Sequence, residues 1–301
     1  MEVSTDEAVR IYRRHPGFDP GRIRRRAKAA GIEGVEWRFK EIPEEAKDEK
    51  PSFWRRNLCS IDPKASEEEL ARFERVTKEH GLETVSVTPY LTTGDLEGTE
   101  QVLRVAKRLG ARTIRVGVPR YDGTQNYNEL FDQAVKYLHG VEELAKQYGI
   151  KCLVETHHVT IAPSAGLAHR LVSGFSPDHI GVLFDPGNMV HEGYENFRMG
   201  LELLGPYLAH VHIKNTGWKR TEQTGRRVAG LDFLLGAGER RHRRLEAGAP
   251  RSESRRLRRL SRRGGFQRQV RLQGVAHQLR EAGTGLARGD LKPRIAVSLA
   301  G

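Results

Sequence analysis

The chain alternates short apolar runs with longer stretches in which apolar residues recur every three or four positions. Six of the runs are short and mostly rich in β-branched residues, which is typical of buried parallel strands. They are Gly34–Arg38, Thr84–Thr88, Thr113–Gly117, Lys151–Glu155, Ile180–Asp185 and Ala209–Ile213. This pattern predicts a parallel sheet whose strands are joined by helices.

The stretches between these runs carry helix signals. Ser66 and Glu69 form a predicted capping box ahead of an apolar stripe. Two further apolar stripes end at Gly110 and Gly149, and glycine is common just past the last residue of a helix. Strand and helix alternate at intervals of roughly 30 residues, which is the spacing of βαβ units.

Repeated βα units build either a closed (β/α)8 barrel or an open, doubly wound sheet. No GxGxxG or P-loop motif follows any predicted strand, which counts against a nucleotide-binding open sheet. Polar residues stand at several strand ends instead, where the active sites of barrels lie. We therefore predict an α/β fold of the (β/α)8 TIM-barrel type. Its first strand is weakly marked, since Glu2–Thr5 is short.

Composition supports a folded domain and excludes several classes of protein. The 301 residues are 37% hydrophobic, which suffices for a core and excludes wholesale disorder. No apolar run approaches the ~20 residues of a membrane span, and the first residues lack the apolar stretch of a secretory signal. Two cysteines, Cys59 and Cys152, are too few for a disulfide framework and fit a reducing compartment. We expect a cytoplasmic protein.

The positive charge of the chain is concentrated at its C-terminal end. The formal net charge is +12, yet residues 1–218 carry 30 Lys and Arg against 32 Asp and Glu. Residues 219–301 carry 21 against 7, and nineteen of those 21 are arginine. We therefore divide the chain into a barrel, residues 1–218, and an atypical Arg-rich segment, residues 219–301, which we expect to be poorly ordered.

Two explanations of the Arg-rich segment stay open. The excess of arginine over lysine suggests a GC-rich coding sequence translated in a shifted frame. A basic arm that binds nucleic acid is the alternative, although such arms usually mix lysine with arginine. We favour the shifted frame and expect a nucleic-acid partner only if the segment is genuine.

Three polar residues stand at the ends of successive predicted strands: Glu155, Asp185 and His212. One βα unit separates each from the next, and neighbouring strands of a barrel lie side by side, so these side chains are expected to converge at one rim. Two carboxylates and an imidazole suit Mn²⁺, Co²⁺, Mg²⁺ or Zn²⁺. A single strand-end carboxylate is often only a cap or a solvated group, but three such residues in succession indicate a divalent-metal site.

Histidines near these strand ends have different expected roles. His157 shares the side-chain parity of Glu155 and is a candidate for binding substrate hydroxyls, whereas His158 is expected at the surface. His210 shares the parity of His212 and is expected to be a buried, hydrogen-bonded core residue.

Three further candidates for substrate binding each have two possible interpretations. Asn188 either binds a sugar hydroxyl or caps the next helix. Lys214 either neutralises an enediolate or phosphate, or is solvated. Glu36 either orients the site from behind or is a rim carboxylate in water.

The same holds for three residues near earlier strand ends. Tyr90 either forms a wall of the pocket or packs against the fold. Arg115 and Arg120 either bind a phosphate or are surface charges.

The motifs at these strand ends, in their order and spacing, resemble those of the xylose-isomerase-like TIM barrels, the sugar phosphate isomerase/epimerase group. They are Gly34-Val-Glu36, Glu155, Asp185-Pro-Gly-Asn188 and His210-Val-His-Ile-Lys214, and the resemblance covers roughly residues 32–218. The resemblance implies a divalent metal held by Glu155, Asp185 and His212, with a fourth carboxylate from the eighth strand. It also implies proton transfer next to a sugar carbonyl through an enediolate, with two metal-bound glutamates acting on opposite faces.

The eighth strand departs from this pattern. By spacing it should lie roughly 30 residues after His212 and end in a glutamate, but the run Arg240–Glu246 has no apolar character. The later run Ile295–Leu299 has a strand pattern, but no acid ends it. We therefore expect a barrel that is incomplete at the eighth βα unit, less stable than its relatives, and poorly active or inactive.

These observations favour a divalent-metal-dependent isomerase or epimerase of a sugar, sugar phosphate or cyclitol, with a small carbohydrate as its partner. The sequence leaves the oligomeric state, the metal and the substrate open. An endonuclease of the apurinic-site type is one alternative, but it needs more histidines, and the strand ends at Arg38, Thr88 and Gly117 carry none. A non-catalytic barrel is the other.

We predict that a shifted frame across the codons for residues 218–244 restores an apolar strand that ends in glutamate. Resequencing the coding DNA and translating all three frames checks this. If no frame restores such a strand, the Arg-rich segment is genuine, and the nucleic-acid and non-catalytic alternatives become the favoured ones.

Overall fold

The structure, a computed structural model, describes residues 9–10, 34–52, 54–79, 81–192, 195–212, 216–221, 230–235 and 294–297. Its strands are β1 (Val9–Arg10), β2 (Gly34–Phe39), β3 (Ser60–Ile61), β4 (Glu83–Thr88), β5 (Thr113–Arg115), β6 (Lys151–Glu155), β7 (Ile180–Phe184), β8 (Leu208–His212), β9 (Thr216–Thr221), β10 (Gly230–Leu235) and β11 (Arg294–Val297). Its helices are α1 (Glu67–Lys78), α2 (Leu96–Arg108), α3 (Tyr127–Tyr148), α4 (Ala165–Val172), α5 (Pro186–Met189) and α6 (Phe197–Leu204). Short 3-10 turns lie at Glu44–Ala46, Val190–Glu192 and Gly205–Tyr207.

Nine strands form one sheet in the order β1-β11-β8-β7-β6-β5-β4-β2-β3, and every neighbouring pair in it is parallel. Without the two-residue β3, eight strands follow one another in the order expected of a (β/α)8 barrel. Cα atoms of β1 also come within 8 Å of those of β2, although these two strands form no ladder in the part of the chain that the structure describes. The predicted fold class, a TIM barrel with incomplete closure, agrees with this arrangement.

The eighth position of the barrel is occupied by β11. This strand pairs with β8, Ala296 lying opposite His212, and it coincides with most of the late run Ile295–Leu299. The region 240–246, where spacing placed the eighth strand, lies outside the described residues. Strand β1 is Val9–Arg10, and the expected first strand at Glu2–Thr5 lies outside the described residues.

Helix ends follow the sequence signals. The Ser66 hydroxyl accepts the Glu69 N–H, and the Glu69 carboxylate accepts the Ser66 N–H, so the capping box is confirmed. Gly149 ends α3 with φ at 68°, a conformation that favours glycine. Strand β5 ends at Arg115, two residues before the predicted end at Gly117. Glycine is required at 117, because a Cβ there would lie 2.7 Å from the carbonyl carbon of Thr92.

Side chains alternate between two environments along each barrel strand. In β2, Val35, Trp37 and Phe39 join the hydrophobic core between the sheet and the helices. Glu36 and Arg38 have the opposite parity and face the barrel axis, where both are buried. The hydrophobic core therefore lies outside β2, and the side chains that β2 directs toward the axis are polar.

The boundary between barrel and Arg-rich segment stays a prediction. Strand β9 runs across the proposed division at Trp218 and pairs with β10 in an antiparallel ladder. Neither Cys59 nor Cys152 forms a disulfide. No helix among the described residues has the length and apolar character needed to cross a bilayer.

Replacing Trp37 by alanine should destabilise the fold by about 3–5 kcal/mol, because this side chain is 1% exposed and its ring lies 5.0 Å from that of Phe73 on α1. Urea unfolding followed by circular dichroism measures the effect. The matched control, Leu203→Ala on α6, is 46% exposed and should change the free energy of unfolding by no more than about 0.5 kcal/mol. Equal losses in both variants would contradict the assignment of the core.

Candidate metal centre

Strands β6, β7 and β8 bring Glu155, Asp185 and His212 together at their carboxyl ends. The Nδ1 atom of His212 lies 3.6 Å from Oε1 of Glu155 and 3.8 Å from Oδ2 of Asp185. All three side chains are buried, none being more than 6% exposed. The convergence that strand spacing predicted is therefore present in the structure.

The carboxylate of Asp185 is divided between two tasks. Its Oδ1 accepts the backbone N–H of Asn188 at 3.0 Å and caps α5, whose first residue is the proline that suits this position. The backbone N–H of Asp185 donates to the hydroxyl of Thr156 at 2.8 Å. The cap holds the side chain in place and leaves Oδ2 facing His212.

Glu155 is held by two donors on opposite sides. Arg115 donates from Nη1 to Oε2 at 2.5 Å, and the Asn188 amide donates to Oε1 at 3.3 Å. Burial alone would raise the pKa of the Glu155 carboxyl, but the Arg115 guanidinium and the neighbouring imidazoles hold it well below its usual range. Glu155 is therefore ionised at neutral pH.

Glu36 lies behind His212, completely buried. Its Oε1 accepts the hydroxyl of Thr88, and its Oε2 lies 3.1 Å from Nε2 of His212 and 3.3 Å from Nε2 of His210. The interpretation of Glu36 as a rim carboxylate in water was wrong, because strand parity carries it to the barrel axis. Its contacts fit the orienting role, and His210 is the buried, hydrogen-bonded residue that was expected.

His212 is engaged on both ring nitrogens, with Glu36 on one side and Glu155 and Asp185 on the other. Burial lowers the pKa of an imidazole, but these three carboxylates outweigh burial and raise the pKa of His212 to about 10. Without a metal, the His212 imidazolium offsets part of the buried negative charge.

Two overlapping groups of side chains meet the spacing of a metal site, with ligand atoms within 4.8 Å of one another: Glu155, Asp185 and His212, and Glu36, His210 and His212. In the second group the two imidazoles and Thr88 already face Glu36 as hydrogen-bonding partners. The first group combines two carboxylates with Nδ1 of an imidazole whose other nitrogen faces a carboxylate, the arrangement typical of protein metal ligands. The donor set of the first group therefore fits a divalent cation.

Of the two histidines just beyond β6, His158 lies differently from the prediction, and the role predicted for His157 stays a prediction. His157 is half-buried and close enough to Glu155 to lower its pKa. His158 was expected at the surface, but its ring stacks between those of His157 and His191, with centroids 4.3 and 4.4 Å away. Side chains no longer alternate between the two faces of the sheet at His158, because β6 has ended at Glu155. The backbone turns at Val159, whose φ is 58°.

The remaining candidates are resolved in part. Asn188 caps no helix, since Asp185 is the cap of α5; its buried amide supports Glu155 instead. Arg115 is largely buried, whereas Arg120 is exposed, so only Arg120 matches the interpretation as a surface charge. Lys214 lies outside the described residues.

Tyr90 is 41% exposed and does not pack into the core. The guanidinium of Arg38 lies over its ring, although Arg38 was not singled out from the sequence. Strand parity was the available signal, since Arg38 stands two residues after Glu36 and faces the same side of β2.

Comparison with known proteins gives a family match and a set of similar folds. The model of the xylose isomerase-like TIM barrel family matches residues 24–253. No curated protein sequence matches the chain. The IolI protein with a bound zinc atom is similar in structure, with a TM-score of 0.55 and 15% identity over 70% of this chain and 73% of that chain.

Two epimerases are similar to the same degree. The 3-keto-D-glucoside 4-epimerase YcjR from E. coli has a TM-score of 0.53 and 16% identity over 70% of this chain and 79% of that chain. D-psicose 3-epimerase, determined in the presence of D-fructose, has a TM-score of 0.52 and 16% identity over 69% of this chain and 72% of that chain. At these identities the likeness shows a shared fold.

Glu36→Gln should weaken the binding of Mn²⁺ about 10–100-fold, because the amide no longer supplies the charge that holds the imidazole of His212 in place. Isothermal titration calorimetry measures the affinity. Glu83→Gln is the matched control, since Glu83 is exposed at the start of β4 and paired with Arg112. Unchanged Mn²⁺ affinity in a folded Glu36→Gln variant would refute the orienting role.

Proposed function

The chain belongs to the xylose isomerase-like TIM barrel family, and on that premise we propose that it is a divalent-metal-dependent isomerase or epimerase of a sugar, a sugar phosphate or a cyclitol. The observation that carries the proposal is the convergence of Glu155, Asp185 and Nδ1 of His212 at the carboxyl ends of three adjacent strands. Epimerases acting on keto-sugars are among the proteins of similar fold, which supports the same class of chemistry.

Glu155, Asp185 and His212 would hold the metal, with Mn²⁺, Co²⁺, Mg²⁺ and Zn²⁺ as candidates. A bound divalent ion supplies Lewis acidity, which polarises a carbonyl and stabilises the negative charge of an enediolate. A zinc atom is bound in one protein of similar fold.

Glu155 is the proposed base. Its ionised carboxylate takes up the proton from the carbon next to the substrate carbonyl, leaving an enediolate. Arg115 and Asn188 fix both carboxylate oxygens, so that the base is oriented before the substrate binds. His157, half-buried beside Glu155, is the candidate for orienting substrate hydroxyls. Lys214, a candidate from the sequence alone, would neutralise an enediolate or a phosphate.

The identity of the second proton-transfer group distinguishes isomerisation from epimerisation. Inversion at one carbon needs an acid on the face opposite the base, whereas a single carboxylate can return the proton to the neighbouring carbon on the same face. Strand β11 ends at Val297 and is followed by Ser298, so no acid stands at the end of the eighth strand. This chain therefore lacks the second glutamate that the family resemblance implies, so isomerisation and epimerisation stay alternatives and we keep the expectation of low activity.

Deuterium exchange tests the reaction. In D₂O with Mn²⁺, the full chain should incorporate deuterium at the carbon next to the carbonyl of a ketose, ketose phosphate or cyclitol ketone, as followed by NMR. Glu155→Gln should lower the exchange rate at least about 100-fold, because the amide cannot accept the proton. Glu202→Gln, an exposed and ion-paired position on α6, is the matched control.

Absence of metal-dependent exchange with every compound of the three classes would contradict the proposal. Metal-dependent nicking of abasic DNA in the same preparation would then favour the endonuclease alternative. Absence of metal binding as well would favour the non-catalytic barrel.

A further inference from the structure

Three cations surround one exposed ring beside the metal centre. The guanidinium carbons of Arg38 and Arg115 lie 5.3 and 5.0 Å from the ring centroid of Tyr90, and Nζ of Lys40 lies 5.1 Å from it. We call Arg38, Lys40, Tyr90 and Arg115 the rim cluster. The proposed reaction uses only Arg115 of this cluster, as the partner of Glu155.

The rim cluster lies at the carboxyl ends of three neighbouring strands. Arg38 and Lys40 come from the end of β2, Tyr90 follows β4, and Arg115 ends β5, and these strands are adjacent in the sheet. Arg115 also contacts Glu155 at 2.5 Å. The cluster is therefore separated from the metal centre by the width of one guanidinium group.

The two arginines are fixed in orientation. Arg38 is only 2% exposed and donates from Nη2 to the carbonyl of Trp54 at 3.1 Å. Arg115 donates from Nη2 to the carbonyl of Pro89 at 2.6 Å. Trp54, 60% exposed, lies against Tyr90 with ring centroids 6.5 Å apart. Donors held by the fold in this way bind a ligand with less loss of side-chain entropy.

The positive charge around the centre exceeds the negative charge once a divalent ion is added. The three permanent cations of the rim cluster equal in number the three buried carboxylates of Glu36, Glu155 and Asp185. A divalent ion held by Glu155 and Asp185 would therefore leave the pocket net positive. Within the described ranges, no carboxylate lies within 4.0 Å of Nζ of Lys40, although three like charges at one ring repel each other.

We propose that the rim cluster binds an oxyanion group of the substrate, a phosphate monoester or a carboxylate, so that the substrate is an anionic sugar derivative. This rests on the proposed function, which it narrows. Arginine guanidinium groups pair with phosphate and carboxylate through two parallel hydrogen bonds, and lysine adds a point charge. Tyr90 and the partly exposed Lys40 are the accessible members of the cluster, and the position of the cluster directs the rest of the substrate toward Glu155.

Binding measurements on the full chain test the proposal separately from catalysis. Calorimetry compares two pairs of ligands, D-ribulose 5-phosphate with D-ribulose and D-tagaturonate with D-tagatose, on EDTA-treated and on Mn²⁺-loaded protein. The anionic member of at least one pair should bind about tenfold or more tightly than its neutral counterpart in both preparations. A preference in the first pair identifies phosphate, and one in the second identifies carboxylate.

Lys40→Gln should remove most of that preference, whereas Lys136→Gln, the same change on an exposed position of α3, should leave it intact. Thermal melting confirms that both variants are folded. Equal affinity for charged and neutral ligands, equal losses in both variants, or no binding of either anion at millimolar concentration would overturn the proposal.

The two proposals fail in different ways. Deuterium exchange into neutral ketoses without any anion preference would contradict the rim cluster and leave the proposed function standing. Lys40-dependent binding of an anion to the metal-free protein, without exchange in any compound, would contradict the proposed function and leave the rim cluster standing.

Discussion

The contact between the Glu36 carboxylate and Nε2 of His212 determines the geometry of the whole centre. A carboxylate buried in the barrel costs free energy unless donors surround it, and Thr88 and the two β8 imidazoles supply those donors. Because Nε2 faces Glu36, Nδ1 faces Glu155 and Asp185, and the three ligand atoms come within reach of one cation. One buried charge thus fixes the direction from which a metal would be bound.

Strand parity places this chemistry inside the barrel. Along β2, alternate residues form the hydrophobic core outside the sheet, and the remaining ones carry charge to the axis. Glu36 and, two residues later, Arg38 follow the same rule, so β2 carries both the orienting carboxylate and one residue of the rim cluster. The adjacent strands continue the arrangement, since Arg115 at the end of β5 contacts Glu155 at the end of β6. The metal centre and the rim cluster are therefore electrostatically coupled.

Much of the barrel and the convergence of Glu155, Asp185 and His212 could be predicted from the sequence, because strand spacing and strand-end polarity are local signals. The positions of side chains just beyond a strand could not be predicted, since side-chain alternation ends with the strand. His158 is half-buried and stacks between His157 and His191, and the Asn188 amide supports Glu155 rather than capping a helix. The pairing of strands that are distant in the sequence could not be predicted either. The sequence could not show that Arg294–Val297 lies beside β8, because 81 residues separate His212 from the start of that strand.

The most direct test of the account is an electron paramagnetic resonance titration of Mn²⁺ into the full chain, because aqueous Mn²⁺ gives a strong signal that is lost on binding. The account predicts that the wild-type chain removes one equivalent of the aqueous signal, and that Asp185→Asn, which disrupts the ligand set formed with Glu155 and His212, removes little. Equal uptake by both chains, or no uptake by the wild type, would contradict the central claim that these three residues form a divalent-metal site.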